Sequence, residues 1–368
     1  MKILYVTTIS NTLNAFLIPH IDQLIKNGHE VSVACALEQP LASYFSDKKI
    51  PVFQIPFNRN PLAKSNLLAY KKIKQLIKEE NIDIVHTHTP VASMVIRLAC
   101  KRINIPIYYT AHGFHFYQGA PMLNWFVYYP VEKYLSRYTS KLITINQEDY
   151  LLASQKFKAT QTHLIQGVGI QVEKFEKTLV DKRLKSKVLS LAQPTTKVLL
   201  SVGELNKNKN HELVIHALAS FKDQDFHYFI CGTGPLKQTL EQKIKFLGLE
   251  KKVSLLGYRK DIIQIMKMSD LFLFPSLREG LPVSIMEAMS VGLPVVASNI
   301  RGNKDLIYDE NTGKLFDVKE SEELVNILQD FFAGTLPVTK YSENAAAHIQ
   351  QFSENVIINQ VAELYETL

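Results

Sequence analysis

Short apolar runs alternate with amphipathic segments along the first half of the chain. Apolar runs predict strands at Lys2–Thr8, Glu30–Ala36, Val52–Pro56, Ile82–His86, Ile107–Ala111, Leu142–Ile145 and His163–Gln166. Between these runs, hydrophobic residues recur with helical spacing at 13–26, 65–80, 91–103, 123–138 and 147–157. This alternation indicates a parallel sheet that is covered by helices on both faces.

The alternation stops in a polar, lysine-rich stretch at about 171–195 and then restarts. Further strands are predicted at Val198–Val202, His227–Cys231, Val253–Leu256, Leu271–Phe274 and Pro294–Ala297. Helical spacing recurs near 210–221, 235–247, 261–268, 283–291 and 319–333. We therefore expect an α/β protein with two doubly wound domains, 1–170 and 171–349, and a helix at 350–368 that packs back on the first. Such sheets bind ligands beyond the carboxyl ends of their strands, so we expect the site in the cleft between the domains.

Length and composition agree with this organisation. A chain of 368 residues is long enough for about two domains, and its 46% hydrophobic content excludes a disordered protein. No apolar stretch reaches the roughly 18 residues of a transmembrane helix, and the first apolar run is too short for a signal peptide. The three cysteines are far apart and odd in number, which argues against a disulfide framework. We expect a cytoplasmic protein.

The positive charge is concentrated in the first half of the chain. The net charge is +7, and residues 1–170 contain 18 Lys and Arg against 10 Asp and Glu. The remaining residues are close to neutral, so the first half is expected to meet an acidic partner: nucleic acid, an anionic membrane or a phosphate-bearing substrate. A solvated basic face is the alternative.

An aromatic stretch at 114–138 lies in this basic half. It contains nine aromatic residues, with Lys133, Arg137 and Lys141 among or next to them. Aromatic and cationic residues together suit the membrane interface, although ordinary core packing explains the aromatic residues equally well. Together with the charge, the stretch favours docking on an anionic leaflet.

The richest motif runs from Leu271 to Ala297. An apolar strand leads to a loop with Glu279 and Gly280, and a helix is predicted to begin near Pro282. Proline suits the first helical position, and the free N–H groups of a first helical turn attract anions. A carboxylate cannot hold phosphate, but Glu279 and Glu287 can accept hydrogen bonds from sugar hydroxyls beside it. A nucleotide-sugar combines these features.

This motif resembles that of the family 4 glycosyltransferases, which have the two-domain GT-B fold. The resemblance rests on Phe274-Pro-Ser, on E-x(7)-E between Glu279 and Glu287, and on the Gly292-Leu-Pro-Val-Val-Ala that follows. It covers essentially the whole chain. It implies a retaining transferase that uses a nucleotide-diphospho-sugar, expected to be a UDP-sugar, without cofactor or metal.

The resemblance also implies roles for individual residues. Glu287 would bind the ribose, Glu279 and His112 the donor sugar, and Lys209 the departing diphosphate. The remaining donor-binding residues that the resemblance implies are Gly203, Asn208, Gly232, Gly234, Tyr258, Arg259, Gly280, Leu281, Pro282 and Val283.

Two positions depart from the family pattern. Glu204 stands where relatives carry an arginine of the cation clamp, and Lys207 is a candidate substitute. The loop Thr7–Asn11 lacks the Gly-Gly of many relatives, and this loop helps to form the acceptor side. Gly167–Gly169 is expected to act as a hinge.

Histidines near the ends of two predicted strands allow a second interpretation. His86, His88, His112 and His115 could form a zinc cluster, since side chains of an H-x-H strand share a face. No carboxylate or cysteine lies near them in sequence, and strands of the family commonly end in such histidines. We therefore expect no metal site.

Taken together, these features predict a glycosyltransferase of capsule, exopolysaccharide or O-antigen synthesis. Its expected partners are a UDP-sugar and an undecaprenyl-diphosphate-linked glycan, and it would lie peripherally at the inner face of the cell membrane. A non-catalytic binding subunit and a nucleotide-sugar 2-epimerase remain as alternatives. Binding of nucleic acid would explain the charge but none of the motifs, so none is expected.

Overall fold

The computed structural model describes residues 1–181 and 196–366, which form two compact units. The first unit comprises Met1–Gly169 together with the C-terminal segment from Glu354, and the second comprises Ile170–Ser353. The sequence-based boundaries after 170 and 349 differ from these by one and four residues.

A seven-stranded parallel sheet forms the centre of the first unit, with strand order β3-β2-β1-β4-β5-β6-β7. Its strands are β1 (Lys2–Ile9), β2 (Glu30–Ala36), β3 (Val52–Gln54), β4 (Ile84–His88), β5 (Ile107–Ala111), β6 (Lys141–Thr144) and β7 (Gln161–Leu164). Its helices are α1 (Ser10–Thr12), α2 (Ile18–Lys26), α3 (Ser43–Asp47), α4 (Ser65–Glu79), α5 (Pro90–Ala99), α6 (Met122–Leu135), α7 (Gln147–Lys156) and the C-terminal α16 (Glu354–Glu363).

Strand β1 lies in the middle of this sheet and is buried on both faces. Ile3 and Tyr5 belong to one hydrophobic core, whereas Leu4 and Val6 belong to another. Successive side chains of a strand point to opposite faces, so an uninterrupted apolar run is what a doubly covered strand requires.

The C-terminal segment is part of the first unit. Ile357 of α16 and the following Leu364 and Tyr365 join the core that contains Ile3 and Tyr5. The hydroxyl of Tyr365 bonds to the His86 ring, and the hydroxyl of Tyr108 donates to the Leu364 carbonyl at 3.2 Å. The end of the chain therefore completes the hydrophobic core beside a sheet whose strands all come from the first 164 residues.

A six-stranded parallel sheet forms the second unit, with strand order β10-β9-β8-β11-β12-β13. Its strands are β8 (Lys197–Val202), β9 (Phe226–Cys231), β10 (Val253–Gly257), β11 (Leu271–Phe274), β12 (Val295–Ser298) and β13 (Lys314–Phe316). The described helices are α8 (Val172–Lys177), α9 (His211–Leu218), α10 (Lys237–Phe246), α11 (Ile262–Lys267), α12 (Val283–Ser290), α13 (Asn303–Leu306), α14 (Ser321–Ala333) and α15 (Val338–His348).

The segment 13–26 is helical as predicted, but it is not a regular α-helix throughout. The structure has the short α1, a π-helical segment at Leu13–Leu17, and then α2. Pro19 lacks an N–H and crowds the carbonyl four residues before it, so regular α-helical bonding cannot continue through this point.

Several short elements were not predicted from the sequence. They are α3, α8, α13, α15 and the edge strand β13. Helix α8 lies in the stretch at 171–195 for which few structural cues were found, and residues 182–195 of that stretch lie outside the described part of the chain.

The aromatic stretch divides between core and surface. Phe114 and Phe116 are buried, and Trp125 and Tyr129 pack against them. The opposite face of α6 exposes large apolar side chains, which are Met122, Leu123, Phe126, Val127, Tyr128, Val131 and Tyr134. Core packing therefore explains only half of this stretch. Among the described residues, no helix combines the length and apolarity that crossing a bilayer requires.

Because Tyr365 is 2% exposed, Tyr365→Ala should destabilise the first unit by about 3–5 kcal/mol, the usual cost of truncating a buried aromatic ring. Val356→Ala, at an exposed position of α16, should change stability by no more than about 0.5 kcal/mol. Urea denaturation followed by fluorescence of Trp125, the only tryptophan, would measure both. Equal effects of the two substitutions would contradict the placement of the C-terminal segment.

Candidate active site

Three loops meet at the carboxyl ends of β8, β9 and β10 in the second unit. The Gly203 amide donates to the Cys231 carbonyl, and the Gly232 amide donates to the Gly257 carbonyl at 2.8 Å. A Cβ on Gly232 would lie 1.8 Å from the Gly203 oxygen, and one on Gly234 would lie 2.5 Å from the Leu205 oxygen. Only glycine at positions 232 and 234 allows this approach to the backbone that follows β8.

An ion pair joins the β8–α9 loop to the loop that precedes α12. Nζ of Lys209 lies 2.6 Å from Oε1 of Glu279, and the two side chains are 20% and 14% exposed. The same Nζ lies 4.7 Å from the centre of the Phe274 ring. The sequence predicted Lys209 and Glu279 as site residues, and the structure brings them into direct contact.

Asn208 fastens the same two loops through its backbone and its side chain. Its carbonyl accepts a hydrogen bond from the Leu277 amide at 2.8 Å, and its side-chain amide donates to the Arg278 carbonyl at 2.9 Å. The adjacent Lys209 is therefore held against Glu279 by a hydrogen-bonded frame rather than by charge alone.

The loop that contains Gly280 leads directly into α12. Leu281 and Pro282 are buried, and Val283 is the first helical residue. Pro282 occupies the N-cap, because its ψ of 117° is extended, so the helix begins close to the predicted position. The first-turn N–H groups of α12 lack partners within the helix, and their dipole favours an anion.

Arg301 is a site residue that the sequence analysis missed. It is buried, and its Nε donates to the Glu279 carbonyl at 3.2 Å. A Cβ on the neighbouring Gly302 would lie 2.3 Å from the Gly280 oxygen, so the 301–302 and 279–280 segments touch. The signal available in the sequence was an arginine before a glycine, just after β12, but nothing local pointed toward Glu279.

Glu287 lies in the second turn of α12. Burial raises its pKa to about 7, and Lys174 of α8 partly opposes this shift. Near neutral pH the carboxyl group is therefore both a donor and an acceptor of hydrogen bonds, depending on its protonation.

The remaining predicted residues of this unit differ in their surroundings. Tyr258 is 74% exposed, whereas the Arg259 guanidinium is held by both oxygens of Asp261 at 2.8 and 2.5 Å. Glu204 and Lys207 are exposed, and the Glu204 carboxylate accepts a hydrogen bond from Asn206 at 2.9 Å. In this loop Lys209 is therefore paired with Glu279, whereas the side chain of Glu204 is hydrogen-bonded to Asn206.

His112 belongs to a histidine cluster in the first unit. Its Nε2 lies 3.3 Å from Nδ1 of His88, whose ring stacks on His86 with centroids 4.4 Å apart. His20 also lines the small cavity beside these rings, and its Nε2 donates to the Val168 carbonyl at 3.0 Å.

Burial keeps this cluster neutral. It lowers the pKa of His112 to about 4 and of His86 to about 3, and it holds the pKa of His88 well below its ordinary value. His115 lies outside the cluster, with its ring 4.9 Å from that of Tyr128. No group of three side chains suited to holding a metal occurs in residues 1–181 and 196–366.

Comparison with known proteins identifies the family. Residues 183–348 match the model for glycosyl transferases group 1, and residues 2–146 match the model for glycosyl transferase 4-like proteins. The chain is 33% identical to the putative glycosyltransferase EpsD of Bacillus subtilis, over 99% of this chain and 96% of that protein. The chain belongs to the family 4-like glycosyltransferases. The resemblance deduced from the E-x(7)-E motif is confirmed.

Two further relatives bear on the chemistry of this glycosyltransferase. It is 30% identical to the UDP-Gal:alpha-D-GlcNAc-diphosphoundecaprenol alpha-1,3-galactosyltransferase of Escherichia coli, over 81% of this chain and 79% of that protein. It superposes on Anabaena HepE, solved with UDP and glucose, with a TM-score of 0.80, 25% identity and full coverage of both chains. The predicted GT-B fold is confirmed.

The raised pKa of Glu287 predicts how the stability of the glycosyltransferase depends on pH. Between pH 4.5 and about 7 the folded state holds a proton that the unfolded state releases, so stability should fall as pH rises through this window. The contribution is at most about 1.4 kcal/mol per pH unit, and Glu287→Gln should remove it. Calorimetry from pH 5 to 8 would measure the difference between the two curves.

Glu322→Gln, at an exposed position of α14, is the matched control for this experiment. Its stability curve should run parallel to that of the wild type, whereas the Glu287→Gln curve should be flatter between pH 5 and 7. Parallel curves for all three proteins would contradict the buried, proton-holding state of Glu287.

Proposed function

We propose that this glycosyltransferase moves a sugar from a UDP-sugar to a glycan carried on a lipid diphosphate, with retention at the anomeric carbon, in surface-polysaccharide synthesis. The observation that carries the proposal is the Lys209–Glu279 pair, held beside the N-terminus of α12 with Glu287 farther along the same helix. The UDP bound to HepE and the diphosphoundecaprenol substrate named for the E. coli relative support the choice of donor and acceptor.

The donor would be held mainly by the second unit. The N-terminus of α12, together with the residues from Gly280 to Val283 that lead into it, suits the diphosphate, and Lys209 adds a compact positive charge. Glu287 would accept hydrogen bonds from the ribose hydroxyls and Glu279 from the sugar. The closely packed Gly203, Gly232 and Gly234 loops would line the nucleotide, with Tyr258 and Arg259 toward the base. His112 is assigned to the donor sugar because of its Thr-x-His-Gly setting.

In the proposed reaction, the bond between the sugar C1 and the diphosphate oxygen breaks. The acceptor hydroxyl forms a new bond to C1 on the same face, and its proton passes to the departing phosphate oxygen. The products are UDP and a lengthened lipid-linked glycan. Lys209 and the dipole of α12 would stabilise the charge that develops on the leaving diphosphate. We infer that no metal is needed for this step, so transfer should persist in EDTA.

Donor binding is the first prediction of this mechanism. UDP at about 100 times its dissociation constant should stabilise the wild type by about 2.7 kcal/mol, seen as a raised melting temperature. GDP, ADP and TDP should give smaller shifts. Glu287→Ala should abolish the UDP shift because the ribose loses its acceptor, and thermal denaturation would measure each case.

Glu322→Ala should retain the full UDP shift. A UDP shift that survives Glu287→Ala would overturn the ribose assignment. Binding of UDP-sugars without transfer to any lipid-linked acceptor would support a non-catalytic subunit, for which Glu204 at the usual arginine position would be the first residue to test. Turnover of UDP-N-acetylglucosamine without acceptor would support an epimerase.

We also propose that the glycosyltransferase lies peripherally on the inner face of the cell membrane, through the exposed apolar face of α6. Lys101 and Arg137 lie over the Tyr134 ring at 5.7 and 4.6 Å, and Lys133 lies over the Tyr129 ring at 5.6 Å. An apolar face bordered by cations matches an anionic leaflet, into which the apolar residues insert while the cations meet phosphate groups.

Vesicle sedimentation tests this surface. Binding should be stronger to vesicles with phosphatidylglycerol than to phosphatidylcholine alone, and should weaken with salt. Leu123→Ser should reduce partitioning about tenfold or more, since a buried leucine contributes roughly 1.5–3 kcal/mol. Leu151→Ser, at an exposed position of α7, is the matched control and should have little effect. Equal effects of both substitutions would exclude α6 as the contact.

A further inference from the structure

A cavity of about 440 Å³ lies at the carboxyl ends of β1, β4 and β5 in the first unit. The cavity wall includes Ile9 after β1, Val91 and Met94 of α5, Phe114 after β5, and Val131 of α6. Its volume falls within the ordinary range of ligand-binding cavities. None of the side chains assigned to the nucleotide or the donor sugar lines it, so the proposed donor site leaves this space without a role.

The cavity is continuous with the exposed face of α6. Tyr128 and Val131 line the cavity, and they are also 38% and 42% exposed on that face. An apolar chain that lies along α6 could therefore enter the cavity without crossing a polar barrier.

Charge at the cavity favours an anionic head group. Glu132 lines the wall, but its carboxylate is paired at 2.9 Å with the buried Arg97. Arg59 also lines the cavity, and its exposed guanidinium forms an ion pair with the exposed Glu38 at 3.4 Å. Such an exposed pair is weak, so Arg59 can turn to a phosphate at little cost. Helix α5 begins at this cavity without an acidic residue in its first turn.

The position of the cavity relates it to the transfer step. Gly113 lines the cavity and directly follows His112, the residue assigned to the donor sugar. An amphiphile whose chain fills the cavity would have its head group near this end of the sheet.

We propose that the cavity binds the first isoprenoid units of the lipid acceptor, with the diphosphate of that lipid at Arg59. This inference rests on the proposed lipid-diphosphate acceptor and adds the place where its lipid part is bound. The branched, unsaturated chain would pack against the aliphatic and aromatic side chains of the wall. The diphosphate would pair with Arg59, the one arginine among the residues that line the cavity.

Trp125 gives a direct test with the full-length protein. It lies on α6 with its ring 5.7 Å from that of Phe116, which lines the cavity. Farnesyl diphosphate, a short prenyl diphosphate, should change the Trp125 fluorescence in a saturable manner. Inorganic diphosphate alone should have no such effect.

Two pairs of variants separate the apolar from the charged contribution. Val131→Phe fills the cavity and should weaken the binding of farnesyl diphosphate at least tenfold. Val127 lies one turn away on the same helix and outside the cavity lining, so Val127→Phe should change the dissociation constant by less than twofold. Arg59→Gln should weaken the binding of farnesyl diphosphate but leave the binding of farnesol unchanged. Arg102→Gln, also exposed, should change neither.

Two results would overturn the inference. One is equal affinity of Val131→Phe and Val127→Phe for farnesyl diphosphate. The other is a finding that palmitate binds the wild type as tightly as farnesyl diphosphate and that Val131→Phe weakens the binding of both equally. That finding would assign the cavity to acyl chains of the bilayer. The UDP-induced thermal shift, measured on the same variants, keeps this result distinct from a failure of the donor site.

Discussion

The ion pair between Lys209 and Glu279 is the interaction on which the proposed donor site of this glycosyltransferase depends. Both side chains are mostly buried, so removal of either would leave the other as an uncompensated charge in a region of low dielectric. The pair also determines the order of events in the proposed reaction. In that reaction an incoming diphosphate would compete for Lys209, and as the lysine turned to phosphate the Glu279 carboxylate would become available to the sugar hydroxyls.

The first unit buries several histidines, and their rings remain neutral. The His86 ring stacks on that of His88. One of its ring nitrogens is hydrogen-bonded to Thr110 and the other to Tyr365, so that the neutral ring has a defined position. Because burial lowers the pKa of His112 to about 4, its ring is neutral near pH 7, and in the proposed donor site it would act as a polar group rather than a cation.

Local patterns predicted the buried strands well and the tertiary contacts poorly. Strands β2, β5 and β11 have the predicted bounds because each is a short apolar run with clear ends. Strand β13 and the short helices were missed, since three to eleven residues carry little periodic signal without their neighbours. Family motifs pointed to Lys209 and Glu279, yet the role of Arg301 depends on a contact between loops 22 residues apart, which no local pattern encodes.

The second unit begins and ends at the same place. Ile170 donates a backbone hydrogen bond to Phe352 at 3.0 Å, and Gly169 lies so close to Glu354 that a Cβ there would be 2.7 Å from its Cα. In topological terms the second unit is an insertion into the first unit, and the points at which the chain enters and leaves it are adjacent. The chain could therefore be divided at this junction into two polypeptides. One would join residues 1–169 directly to 354–368, and the other would consist of residues 170–353. A chain shortened by its last dozen residues, in contrast, would lose part of the core that its first residues build.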